Sequence, residues 1–149
     1  MTDIPQLIDR LEKAEKGSQE LDARIILALL APSDAFLEQS KINGRWCIYD
    51  GYDRVSRPRL WDGAPRYPDD RGPSQSIDAA IALAESVLPG WAWWASKIDA
   101  GSIESTARLW VPGDRAESGE EGKEFFTQAK TPVLALCIAI LKAVQAKGE

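Results

Sequence analysis

The chain has no histidine among its 149 residues. That absence removes Ser–His–Asp and Cys–His catalysis and takes from any zinc site its commonest ligand. Cysteine is nearly as scarce. Cys47 and Cys137 stand far apart in no metal-ligand spacing, and Cys137 lies in an apolar helical run. Both read as reduced packing residues rather than as a disulfide or a nucleophile. No apolar run approaches the ~18 residues of a membrane span. The N-terminal "MTDIPQLIDRLEKAEK" is charged and amphipathic, without the apolar centre of a signal peptide, so a cytoplasmic protein that avoids the membrane is expected. Positive charge is in deficit, with 18 Lys and Arg against 23 Asp and Glu, a net −5. This argues against general nucleic-acid binding, which needs a basic surface or stripe to neutralise phosphates.

Recognisable catalytic motifs are missing as well. No GxxxxGK phosphate loop occurs, and "DGYD" and "DDRG" lack the alternating oxygens and distal glutamate of a calcium loop. Asp99, Glu104 and Asp114 fall near expected strand ends without the spacing of an acid and nucleophile pair, so they read as solvated turn residues. The expectation is a non-enzymatic protein with no cofactor and no metal.

What is present describes one domain over residues 1–149, since 44% hydrophobic content at this length supports a single core. Leu7, Ile8, Leu11 and Ala14 form one stripe of a first helix over about residues 4–16. Gly17 breaks it, and Ser18 caps "QELDARIILALLA" until Pro32, giving an N-terminal helical hairpin over residues 1–31. A short amphipathic piece, "SDAFLEQS", precedes a first strand in "GRWCIYDGYDR". The sandwich core is expected over residues 45–147, interrupted by a long glycine- and proline-rich loop over 50–75. Loops of that length are more often functional than decorative.

Ser76 caps a third helix, "IDAAIALAESVL", stopped by Pro89-Gly90, and its alanines suit it to lie flat on a sheet. "WAWWASKID" and "IESTARLWVPG" follow as strands joined at Ala100-Gly101. In the second, Ala107, Leu109 and Val111 alternate with Thr106, Arg108 and Trp110, which predicts two unlike faces. "GDRAESGEEGKE" reads as a solvated acidic hairpin loop, and "EFFTQA" as a further strand. Thr131 and Pro132 open a last helix that is apolar around most of its circumference and must be buried. Three consecutive strands imply an antiparallel meander, and the whole an α+β fold: a three-layer α/β/α sandwich with a small, mainly antiparallel sheet behind the helical hairpin.

"SIDAAIALAESVLPGWAWW", then a strand pair, then "TPVLALCIAILKA", resembles the phage ABA sandwich domain, over about residues 75–147. The resemblance implies an α/β/α sandwich in a phage or prophage protein, and brings no catalytic residues with it.

Two groups of residues have the chemistry of a site. The first is the loop, where Arg54, Arg57, Arg59 and Arg66 stand among Trp61 and Tyr67, a mixture that suits gripping phosphates and stacking on bases. Five aspartates between residues 50 and 70 offer those arginines partners within the loop, so a self-paired surface segment is the competing reading. The second is the tryptophan strand. Alternation sends Trp91 and Trp93 to one face and Trp94 to the other, while Arg108 and Trp110 share a face of the neighbouring strand, where a cation between indoles can pair within the protein or hold a ligand. Trp94 is the member expected to meet a ligand, and the competing reading packs every ring under a helix. The expected function is a binding protein that sequesters a small nucleotide-like host defence signal. The alternative is an interaction or scaffold protein for a host or phage protein, felt through exposed helix residues such as Arg10 and Arg24. A histidine-independent enzyme acting on nucleotides is a third reading, and a homodimer is compatible with the apolar helices.

Overall fold

The computed structural model describes residues 3–30, 36–39, 41, 44, 46–49, 72–97, 105–112 and 124–147. Helix α1 runs Ile4–Lys13 and buries Leu7, Ile8 and Leu11. It ends earlier than the periodicity suggests because Ala14 turns extended, with φ −73° and ψ 138°. Helix α2, Gln19–Leu29, starts where Ser18 accepts a bond from the Leu21 amide. Between them Gly17 does more than break a helix. A Cβ at this position would lie 1.8 Å from the Ser74 carbonyl oxygen, so a distant segment of chain is packed against its backbone.

The amphipathic piece "SDAFLEQS" contains a strand, β1 (Phe36–Gln39), paired antiparallel with β2 (Trp46–Tyr49) in a separate two-stranded sheet. Isolated hairpins are marginal, and α2 supplies the support. Ile26 and Ile48 form a small cluster with Leu27, Leu30 and Leu37. The Gln19 amide also acts as a short strand mimic: it donates to the Trp46 carbonyl and accepts from the Trp46 amide, both at 2.7 Å.

Helix α3, Ile77–Val87, is capped by Ser76 and stops before Gly90, whose φ of 83° is the left-handed conformation that favours glycine. Strands β3 (Ala92–Ser96), β4 (Ser105–Trp110) and β5 (Glu124–Ala129) form an antiparallel sheet in the order β3-β4-β5. The last helix, α4 (Pro132–Lys147), opens with Thr131 accepting from the Leu134 amide at 3.1 Å. It is the centre of the molecule, with Leu134 to Leu141 and Ala143 buried. One side of α4 packs on the three strands; α1 and α3 also pack against it. Helix α3, with Ala80 and Ala84 buried, therefore rests chiefly on α4 rather than flat on the sheet, the small side chains allowing a close helix–helix approach. Thr127 ties the layers together by donating its hydroxyl to the Ala135 carbonyl at 2.6 Å.

Among the described residues the result is a mixed α+β structure of four helices and a three-stranded antiparallel sheet, together with the β1–β2 pair. Ala107, Leu109 and Ala129 carry the sheet's buried face into the core. No described helix covers the exposed aromatic side chains of the other face. Among the described residues no helix is long and apolar enough to cross a membrane.

Candidate functional site

The register of the three strands assembles part of the expected site. Trp94 lies directly opposite Arg108, and Arg108 opposite Phe126, so the three form one row across the sheet. The next row is Ala92, Trp110 and Glu124. Because strand side chains alternate, both rows share the face turned away from Leu109 and α4. Trp94 is 41% exposed and Phe126 57%, values that are high for rings able to bury their full surface elsewhere. Trp110 is half-buried.

Arg108 ties this face together. Its guanidinium carbon lies 4.4 Å from the centre of the Trp110 ring, within the range of a cation–π contact. Its Nε pairs with Glu124 Oε1, and both side chains remain about two-fifths exposed at 42% and 43%. An exposed ion pair of this kind stabilises by roughly 0–1 kcal/mol, so an incoming carboxylate can exchange for Glu124 at small cost. The Trp110 ring holds the guanidinium in position independently of Glu124.

The tryptophans of "GWAWWASKID" divide as alternation requires, with one refinement. Trp91 packs on the core and faces Phe125 with ring centres 6.2 Å apart. Trp93 stands opposite Leu109, on the α4 side, yet is 36% exposed. It sits on β3, at an edge of the β3-β4-β5 order, where α4 covers it only in part. Thr106 shares the face of Arg108 yet is 3% exposed, and its hydroxyl has no partner among the described residues.

Of the expected site residues, Trp94, Arg108 and Trp110 are thus brought together. Arg54, Arg57, Arg59, Trp61, Arg66 and Tyr67 lie outside the described residues, as do the Ala100-Gly101 turn, the acidic segment after Gly113, and Asp99, Glu104 and Asp114. Among the described residues no group of His, Cys, Asp or Glu side chains could hold a metal ion. Cys137 is a free, fully buried thiol that donates to the Pro73 carbonyl at 3.0 Å. Burial, with the nearby Asp22 adding to it, pushes its pKa far up, so it stays a neutral packing group.

The end of the expected loop is a surprise. Gly72, Pro73 and Ser74 are buried, against the rule that connections run over the surface. Asp22, itself 1% exposed, holds them. Its Oδ1 accepts from the Ser74 amide at 2.7 Å and the Ser74 hydroxyl at 2.6 Å. Its Oδ2 accepts from the Gly72 amide at 2.9 Å and from Gln75 Nε2 at 2.6 Å. The sequence signalled nothing special about Asp22, because an acid in the first turn of a helix is ordinary dipole chemistry. The clamp holds residues 72–75 against α2, close to the start of α3.

No family model, curated protein or solved structure matches the chain.

Proposed function

We propose that the protein is a non-enzymatic binding protein of the phage or prophage type, and that it docks a protein partner on the sheet face bearing Trp94, Arg108, Trp110 and Phe126. The carrying observation is the exposed Trp94–Arg108–Phe126 row, flanked by Trp110. Tryptophan and arginine dominate the energetics of protein interfaces, and this face offers rings on an open sheet rather than the concave pocket that encloses a small ligand. The matching surface presents apolar side chains around one carboxylate, which replaces Glu124 on Arg108. On this reading the α1–α2 pair is the N-terminal helical hairpin, and the partner supplies the second cover that a three-layer α/β/α sandwich requires. The resemblance to the phage ABA sandwich domain supports the setting in host cytoplasm.

Affinity purification from bacterial lysate, with and without phage infection, tests this with the full chain. Wild type should retain a stoichiometric partner that the folded Trp94→Ser/Phe126→Ser double variant loses and Arg10→Gln keeps. Equal retention by the double variant refutes the assignment. Sedimentation of the pure protein covers the case in which the partner is a second copy: a dimer abolished by the double variant makes the contact isologous.

The small nucleotide-like ligand is the second reading. It is favoured by the Arg108 guanidinium, seated over the Trp110 ring and opposite Trp94, because a base can stack on Trp94 while Arg108 meets its phosphate. The loop arginines would then complete the grip on phosphate. Calorimetry with cyclic and linear nucleotides decides it: heat that disappears in Trp94→Ser supports the reading, and no heat from any of them with folded protein removes it.

A further inference from the structure

A second site is built where α1, α2 and β1 meet. Arg10 on α1 and Arg24 on α2 both reach one oxygen of Glu20: Arg10 Nη1 lies 2.9 Å and Arg24 Nε 2.7 Å from Glu20 Oε2. Two cations share a single carboxylate, so Glu20 neutralises the charge of only one of them. The cluster is also held firmly, because the Arg24 guanidinium lies over the Trp46 ring, 5.1 Å from its centre. Glu20 remains the ionised pivot. The hydrogen bond from Arg10 lowers its pKa, Arg24 adds to the effect, and partial burial opposes it. Arg24 uses only Nε on Glu20, and Arg10 only one Nη; among the described residues their remaining N–H groups have no hydrogen-bond partner. Guanidinium forks with free donors match the oxygens of phosphate or carboxylate.

These arginines line a groove of about 270 Å³. Leu27, Phe36 and Leu37 give it an apolar wall, with the buried Leu7 beneath them. Asp3 lines it too. Although Asp3 occupies the N-cap position of α1, its side chain makes no capping bond, so its oxygens are available to a donor in the groove. A second negative charge on a ligand would be repelled there, whereas a hydroxyl would be accepted. The volume fits a single ring with a small anionic head, just below the roughly 300–1,000 Å³ of pockets for drug-sized molecules.

We infer that this groove binds a small phosphate monoester or carboxylate that carries an apolar ring and a hydroxyl group. The anion sits on the free forks of Arg10 and Arg24, the ring lies along Leu27, Phe36 and Leu37, and the hydroxyl donates to Asp3. The site shares no residue with the sheet face, so either assignment can fail without the other.

Titration calorimetry on the full chain uses four probes. 4-Hydroxyphenyl phosphate represents the phosphate source, 4-hydroxybenzoate the carboxylate source, benzoate the ring without a hydroxyl, and inorganic phosphate the bare anion. At least one of the first two should bind saturably and ten or more times more tightly than inorganic phosphate. Its affinity should fall about tenfold or more in both Arg10→Gln and Arg24→Gln, and remain within twofold of wild type in Trp94→Ser. If the carboxylate is preferred, 4-hydroxybenzoate should exceed benzoate in wild type and match it in Asp3→Ala. The inference is overturned if neither hydroxylated probe binds, if inorganic phosphate binds equally well, or if the folded arginine variants bind like wild type.

Discussion

Replacing Asp22 by alanine removes an acceptor that four donors share: the Gly72 and Ser74 amides, the Ser74 hydroxyl and the Gln75 side-chain amide. Their losses are unequal. The Ser74 hydroxyl already lies 3.0 Å from the Ser18 carbonyl and can turn to it. Gln75 is only half-buried and can swing toward water. The two backbone amides have no such escape, and a buried donor without a partner costs about 1–3 kcal/mol. With two such amides stranded and some packing lost, the substitution should destabilise by about 3–5 kcal/mol. For a domain of ordinary stability, roughly 5–15 kcal/mol, that is a large fraction. Asp22→Asn keeps one acceptor oxygen but sets an amide N–H₂ against two of the donors, so it should be destabilised nearly as much despite its similar shape. Urea unfolding followed by tryptophan fluorescence measures both, with the free energy extrapolated linearly to water. A loss below about 1 kcal/mol in Asp22→Ala would show that the donors find other partners, and that the clamp does not hold residues 72–75.

The same junction makes a second prediction. Gly17→Ala forces a Cβ toward the Ser74 carbonyl oxygen, to 1.8 Å if nothing moves, and should cost about 1–3 kcal/mol or more as overpacking; an unchanged melting temperature contradicts the close approach. Alkaline pH should destabilise through Cys137. Its folded pKa is raised above the ordinary value of 9.0, so the unfolded chain releases the thiol proton first. Stability contributed by the neutral thiol is full below about pH 9 and falls above it by up to roughly 1.4 kcal/mol per pH unit. Cys137→Ala should be less stable overall and show a shallower alkaline slope; equal slopes refute the assignment. Glu20 acts at the other end of the scale, because its pKa is lowered in the fold. Its contribution is present above the ordinary glutamate value of 4.5 and is lost as pH falls through the lower folded value, so Glu20→Gln should flatten the acid limb of an unfolding curve. Trp94 and Phe126 are 41% and 57% exposed, so Trp94→Ser and Phe126→Ser each forfeit only part of a ring's burial and should cost about 1–2 kcal/mol in denaturant unfolding, less than Asp22→Ala.

Much of the local structure was legible because its causes are local. Ser18, Ser76 and Thr131 each accept from an amide three residues ahead, and that geometry needs nothing beyond one turn of chain. The alternation through "TARLW" placed Arg108 and Trp110 on one face for the same kind of reason: a pleated strand has a period of two. "SDAFLEQS" was harder to read. Only four of its residues form β1, and its strand state depends on pairing with β2 and on cover from α2. Asp22 and Gly17 were illegible in a stronger sense, since both owe their roles to Ser74, more than fifty residues away along the chain.

The sequence by itself determined the four described helices and every described strand but β1, that the last helix must be buried, and that Trp94 parts company with Trp91 and Trp93. These follow from caps, periodicity and alternation within a few residues. Tertiary structure alone decided that α3 rests on α4, that Trp94, Arg108 and Phe126 line up across three strands, and that Arg10 and Arg24 converge on one Glu20 oxygen. Strand register and helix docking set those distances. Both are fixed by the fit of whole surfaces around α4, which no short stretch of the chain contains.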